Sequence, residues 1–129
     1  DVNAGEFKCK EDSTCTFETG SEVTSTGGKF KSEQDATMVF EAGTTLNNDF
    51  VVEWKGNSIV QMAGTVVNSA TLSVDNGVTL TMQSGSLFEH AQNGGSLPAV
   101  SPTTWDANST LLISGVTTSL PGDFTDTYG

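Results

Sequence analysis

The sequence predicts an all-β fold, a short parallel β-solenoid of about four to five coils. Three observations predict it: a glycine that returns every 21 residues, an abundance of Gly, Ser, Thr and Asn, and period-two alternation of apolar residues between turns. The glycines are Gly43, Gly64 and Gly85. Such a period marks a repeat protein, whose units stack because no single unit can bury its own apolar face. The alternative is an antiparallel β-sandwich, in which the period would reflect successive hairpins.

Residues 1–28 are expected to form an atypical N-terminal coil that caps the solenoid. The 21-residue register extends into this segment weakly, because Phe17 and Thr16 align with Met38 and Thr37, whereas Glu22 stands where a glycine is expected.

The two cysteines of the chain, Cys9 and Cys15, both belong to this first coil. A strand-turn-strand can bring such a pair together, and an oxidising compartment makes a local disulfide the default. Free thiols and bridges between neighbouring subunits are the alternatives.

Residues 29–91 are predicted to form three regular coils: 29–49, 50–70 and 71–91. A 21-residue alignment stacks equivalent side chains in columns. The columns are Met38, Ile59 and Leu80; Thr37, Ser58 and Thr79; Leu46, Val67 and Phe88; and Phe30, Val51 and Leu72. Asn47 and Asn68 also align, and stacked asparagines can hydrogen-bond along the axis.

Residues 92–110 are predicted to be a loop that leaves the solenoid, because residues 93–95, Pro98 and Pro102 cannot continue a ladder strand. Trp105 is the large side chain of this loop and a candidate ligand-binding or docking group. Asn108 begins an Asn-Ser-Thr sequon, a candidate glycosylation site.

Residues 111–129 are predicted to contain the last strand or strands and a C-terminal tail. The apolar run 111–113 indicates a strand, and Pro121 with the following glycine indicates a turn. Phe124 and Tyr128 are candidate docking groups in the tail.

The charge balance narrows the possible partners. The chain carries 16 acidic residues, five lysines and no arginine, for a net charge of -11. Nucleic acid is excluded as a partner because its phosphates require a basic footprint. No stretch reaches the roughly 20 apolar residues of a membrane helix. We expect a targeting segment to have been removed before Asp1, and the protein to be extracellular or at the cell surface.

No catalytic, cofactor or metal site is predicted, and we expect a protein that is not an enzyme. His90 is the single histidine and is expected at a corner. Glycoside hydrolysis needs two carboxylates about 5–9.5 Å apart in a groove. A solenoid of four or five coils offers little room for such a groove. The candidate carboxylates are Glu11 and Asp12, Glu33 and Asp35, and Glu41. The acidic N-terminal segment with Glu11, Asp12, Glu18 and Glu22 is interpreted as a solvated face rather than a calcium site.

The middle repeat is apolar on both faces, which predicts an intermolecular contact if one set of side chains is exposed. This predicted assembly face consists of Phe50, Val52, Trp54, Val60 and Met62. The alternative is that the loop or the tail covers these side chains.

The column of hydroxyl-bearing residues Thr16, Thr37, Ser58 and Thr79 resembles the ice-binding surfaces of some β-solenoid antifreeze proteins. Those surfaces carry a doubled Thr-x-Thr, which is present here at residues 14–16 and 79–81 but is interrupted by Val39 and Val60.

The repeated motif [Leu/Ile/Met]-x-x-x-[Ala/Ser]-Gly-[Thr/Ser] occurs at residues 38–44, 59–65 and 80–86. In this motif the chain resembles prokaryotic β-solenoid adhesins and surface proteins. In its acidity and lack of arginine, the chain also resembles the amyloid-like sheath proteins of filamentous methanogenic archaea. The resemblance implies a rigid extracellular tube or coat.

The predicted function is a secreted structural subunit that self-assembles through strand edges and apolar faces into a fibre, sheath or surface layer. The expected partners are copies of itself and other cell-envelope components. The alternatives are an adhesin or viral fibre module that recognises glycans or a host surface and, less favoured, an ice-binding solenoid.

Overall fold

The computed structural model describes residues 1–98 and 103–122, which wind into a parallel β-solenoid of about five turns. The predicted fold class is confirmed. The strands are β1 (Glu6–Cys9), β2 (Thr14–Phe17), β3 (Glu22–Ser25), β4 (Lys29–Ser32), β5 (Thr37–Phe40), β6 (Thr45–Asn48), β7 (Val51–Trp54), β8 (Ile59–Met62), β9 (Thr65–Asn68), β10 (Thr71–Val74), β11 (Thr79–Met82), β12 (Leu87–His90), β13 (Thr104–Trp105) and β14 (Thr110–Ile113).

Three parallel sheets form the walls of the solenoid. Sheet 1 has the order β1-β4-β7-β10, sheet 2 the order β13-β11-β8-β5-β2, and sheet 3 the order β14-β12-β9-β6-β3. Coil 1 comprises β1–β3, coil 2 β4–β6, coil 3 β7–β9 and coil 4 β10–β12, while β13 and β14 belong to coil 5. Because the paired strands are parallel, the antiparallel sandwich is wrong.

The core consists of side chains that point inward at alternate positions of each four-residue strand. Parallel register stacks these side chains directly above one another. Three of the resulting columns are Met38, Val60 and Leu80; Phe40, Met62 and Met82; and Leu46, Val66 and Phe88. Each coil therefore seals the interior of its neighbour, as expected for a repeat protein.

The coils differ in length, which corrects the register predicted from a uniform period. Thr37 pairs with Ile59, and Ile59 pairs with Thr79, so the spacing is 22 and then 20 residues. Coils 2 and 4 are therefore aligned as predicted, but coil 3 is displaced by one residue. Val60, and not Ile59, lies between Met38 and Leu80 in the core.

The same correction applies elsewhere in the chain. Val52 and Val66 occupy the inward positions that the 21-residue alignment assigned to Val51 and Val67. Coils 1 and 2 are 23 residues apart, since Thr14 pairs with Thr37, so the predicted alignment of Phe17 and Thr16 is wrong by two residues.

The variable length arises at the corners. Four residues join β5 to β6, whereas only Ala63 and Gly64 join β8 to β9. A Cβ on Gly64 would clash with the Oγ1 and carbonyl oxygen of Thr44, so only glycine permits this close approach. Gly43 has a different role, because its φ of 80° lies in the left-handed region that favours glycine.

The segment predicted as a loop at 92–110 contains strand β13, which adds to β11 of sheet 2. Pro102 and the predicted tail groups Phe124 and Tyr128 lie outside the described residues.

Candidate assembly surfaces

The predicted assembly face is mostly core. Phe50 is 44% exposed, but Val52, Trp54, Val60 and Met62 are each 0% exposed. The prediction is wrong for these four side chains because coil 3 is displaced by one residue, and a one-residue slip moves a strand's side chains to the opposite face. The residues that face outward from β7 and β8 are Val51, Glu53, Ile59 and Gln61.

At both ends of the solenoid, core-facing apolar side chains of the described residues are only partly buried. Ten hydrophobic residues pack against the core but are only partly buried: Val2, Phe7, Cys15, Phe17 and Val23 at the N-terminal end, and Leu72, Val74, Trp105, Leu111 and Ile113 at the other end. Among the described residues, β1 and β2 at the N-terminal end and β10, β13 and β14 at the other end each pair with one neighbouring strand. Within the described part of the chain, both ends therefore present partly exposed apolar side chains.

Strand edges accompany these partly exposed apolar side chains. The carbonyl oxygens of Ser13 and Phe17 accept hydrogen bonds from coil 2. Since backbone groups alternate sides along a strand, the N–H and C=O groups of Thr14 and Thr16 point away from coil 2. β2 is the first strand of sheet 2, and β13 and β14 are the last strands of sheets 2 and 3.

One part of the N-terminal edge is already occupied. Val2 forms an isolated parallel bridge with Ser25 of β3, and its N–H donates to the carbonyl oxygen of Thr24 at 2.8 Å. The edges of β1 and β2 have no such partner strand among the described residues.

A disulfide joins Cys9 to Cys15, as predicted, and the alternatives of free thiols or intersubunit bridges are wrong. It connects the last residue of β1 to β2 across the corner formed by residues 10–13. The bridge therefore fixes two walls of the coil that has a neighbour on one side only.

The outer face of sheet 1 carries a network of ion pairs across three coils. Lys31 in coil 2 lies 2.9 Å from Glu6 in coil 1 and 3.1 Å from Glu53 in coil 3, measured from Nζ to Oε. Lys8 joins Glu6 to Glu33 with distances of 3.3 and 3.4 Å. These contacts attach the end coil to the centre of the solenoid.

The network shifts the pKa values of its members. Hydrogen bonds from Lys31 and Lys8 lower the pKa of Glu6. Burial opposes ionisation of Glu53, but its hydrogen bonds with Lys31 and Lys55 outweigh burial and lower its pKa. Hydrogen bonds to Glu6 and Glu53 raise the pKa of Lys31.

A polar column runs through the interior where sheets 3 and 1 meet. Asn48 Nδ2 donates to Asn68 Oδ1 at 2.7 Å and to the carbonyl oxygen of Thr71 at 2.8 Å. The asparagine ladder therefore exists, with Asn48 in place of the predicted Asn47. His90 in coil 4 pairs with Asn68 in coil 3 and is fully buried, with Nε2 2.6 Å from the Gly94 carbonyl oxygen.

The acidic candidates have ordinary surface contacts. Glu41 accepts a hydrogen bond from the backbone N–H of Thr19 at 3.1 Å, and Asp35 accepts one from Asn57 at 3.3 Å. Glu11 pairs with Lys10 at 3.1 Å. Within the ranges that the structure covers, no group of three or more His, Cys, Asp or Glu side chains is placed to hold a metal ion.

Trp105 does not project from a loop. Its ring is partly buried and meets Phe88 edge-on, with ring centroids 6.0 Å apart. Asn108 is exposed at the corner between β13 and β14, where its backbone N–H donates to Asp106 Oδ1 at 2.8 Å.

A hollow of about 220 Å³ lies beside β10, where sheet 1 has no fifth strand among the described residues. Its lining consists of Ala70, Thr71, Leu72, Gln92, Gly95 and Ser96. None of these side chains is ionisable or strongly nucleophilic.

No protein-family model matches the chain, and neither curated proteins nor solved structures give a significant match. In the described part of the chain, no helix has the length and apolar character needed to cross a membrane.

Proposed function

We propose that this chain is an extracellular structural subunit that assembles end to end into a fibre, sheath or surface layer. The observation that carries the proposal is the coincidence, at both ends of the described solenoid, of partly buried core side chains and strands that pair on one side only. Stacking the C-terminal end of one copy on the N-terminal end of the next would bury these side chains and continue the ladders of sheets 2 and 3.

The side-chain columns supply the register of this junction. Phe17, Phe40, Met62, Met82 and Trp105 form one column from the first coil to the last. In a stack, Trp105 of one copy would lie next to Phe17 of the following copy. Such a head-to-tail contact is open-ended and generates a filament.

Charge makes assembly dependent on ionic strength. Each subunit carries a net charge of -11, so neighbouring copies repel one another at low salt. Salt at physiological concentration screens charges that are more than about 8 Å apart. Apolar and backbone contacts then determine whether the copies associate. The disulfide supports an oxidising, extracellular location.

The first test is the substitution Thr16→Pro on the open edge of β2. Proline removes a backbone N–H that points away from coil 2, so it blocks strand addition while it spares the internal ladder. We expect the variant to remain folded and to lose filaments in electron microscopy. Thr16→Val is the matched control, because it keeps the N–H and should assemble. Normal filaments from Thr16→Pro would refute the proposed junction.

The adhesin alternative depends on Trp105 as a stacking platform for glycans. Its ring packs on Phe88, so we expect Trp105→Ala first to destabilise the last coil. Glycan binding that survives this substitution would remove Trp105 from the adhesin hypothesis.

A further inference from the structure

The outer face of sheet 2 differs from the other two faces in charge. The described residues that point outward from its strands, which we call the threonine-rich face, are Thr14, Thr16, Thr37, Val39, Ile59, Gln61, Thr79, Thr81 and Thr104. None of them is charged. Sheet 1 carries the ion pairs of Lys31, and sheet 3 carries Glu22 and Glu89. A neutral face is notable on a chain with a net charge of -11.

The threonine-rich face is a two-dimensional array. Parallel register sets its residues in two rows: Thr14, Thr37, Ile59 and Thr79; and Thr16, Val39, Gln61, Thr81 and Thr104. Neighbouring residues in a row lie about 4.8 Å apart, and the rows lie about 6.6 Å apart. Ile59, and not the predicted Ser58, belongs to the first row, since the Ser58 hydroxyl is buried 2.7 Å from that of Ser32.

The array is also rigid. Eight of its nine residues are threonine, valine or isoleucine, whose branched Cβ restricts χ1. Directly beneath it, Met38, Val60 and Leu80 are fully buried and support consecutive strands. Little side-chain freedom remains to be lost when the face binds a partner.

The size and chemistry of the face limit what it can bind. Strands of four residues spanning about five coils present about 300 Å², whereas a stable protein interface needs about 800 Å² from each partner. A face without charge or aromatic rings offers little to an ionic polymer or to a sugar that stacks. It offers regularly spaced hydroxyls, which both donate and accept hydrogen bonds, between methyl groups.

We propose that the threonine-rich face binds ice. Ice is neutral and periodic in two dimensions at its surface. Its water molecules can donate hydrogen bonds to the threonine hydroxyls and accept hydrogen bonds from them. The inference does not depend on end-to-end assembly, although stacked copies would lengthen both rows.

The test compares Thr37→Lys with Thr45→Lys. Both threonines are half-buried first residues of strands in coil 2, but Thr37 lies on the threonine-rich face and Thr45 on sheet 3. We expect the wild-type protein to show thermal hysteresis and to enter a slowly grown ice hemisphere. Thr37→Lys should lose most of both activities, and Thr45→Lys should retain them.

Circular dichroism shows whether each variant is folded, and Thr79→Lys, at an exposed position in the same row, replaces Thr37→Lys if that variant is not. The proposal is overturned if the wild-type protein neither depresses the freezing point nor enters ice, or if both lysine variants lose activity equally. A dimer in sedimentation that Thr37→Lys alone dissociates would also overturn it, because the occupant would then be a second copy.

Discussion

Phe40 and Phe17 are neighbours in one column, yet they belong to different parts of the solenoid. Their rings stack with centroids 4.6 Å apart, and both point inward. Phe40 is 1% exposed because coils cover it on both sides, whereas Phe17 in coil 1 is only half-buried. Burial is therefore set by position along the axis as much as by residue type. Within the described residues, core-facing apolar side chains at the ends remain partly exposed, whereas those at the centre are buried.

The largest expected effect comes from truncating each of these two rings. Phe40→Ala should lower the free energy of unfolding by about 3–5 kcal/mol, because it leaves a cavity that cannot close. Phe17→Ala should cost about 1–2 kcal/mol, since part of its ring already meets water. Urea unfolding of dilute protein measures both values, and equal losses would contradict the difference between centre and end.

Removal of the disulfide should also affect the end coil and the centre of the solenoid differently. Cys9→Ala combined with Cys15→Ala should cost about 2–3 kcal/mol, because the bridge restricts the unfolded chain. In a repeat protein the loss should be local. Amide exchange should accelerate in β1 and β2 and stay unchanged in β7–β9. Uniform acceleration would show that coil 1 does not unfold separately.

A smaller effect is expected at Lys31, which ties the end coil to the centre. Lys31→Met should cost about 1–3 kcal/mol, because it removes charge-assisted hydrogen bonds to Glu6 and Glu53.

The pH dependence identifies the origin of this loss. Glu6 and Glu53 have lowered pKa values, so their stabilisation is complete above the ordinary glutamate pKa of about 4.3 and is lost as pH falls through their folded values. The raised pKa of Lys31 means that its stabilisation persists until pH rises above about 10.4. Acidification from neutral pH should therefore destabilise the wild-type protein more than Lys31→Met. Parallel acid curves would contradict the role of the network.

Much of the fold followed from the glycine period, but the register did not. The period of 21 is the average of 20 and 22, so the alignment was right for Met38 with Leu80 and wrong for the coil between them. The short corner contains Gly64, which occupies the same position of the repeat as Gly43. In the structure, however, Gly64 does not have the positive φ of Gly43. The backbone conformation of the two glycines and the packing of Gly64 against Thr44 distinguish them, and neither can be read from the sequence.

This one-residue error also decided which surface was predicted for assembly. A uniform 21-residue alignment places Val52 and Trp54 on the outer face and Ile59 in the core. In the structure, Val52 and Trp54 are buried and Ile59 is exposed. The apolar ends were not predictable residue by residue. Phe17 and Phe40 have the same side chain, and only the number of neighbouring coils separates them.

The most direct test of end-to-end assembly is electron microscopy of the purified protein at physiological salt, with an axial repeat sought in the power spectrum. Five coils per subunit predict a rise of about 24 Å along the filament and a reflection near about 4.8 Å. Filaments with both spacings are the expected result. Isolated monomers at high protein concentration, with or without added salt, would contradict the account.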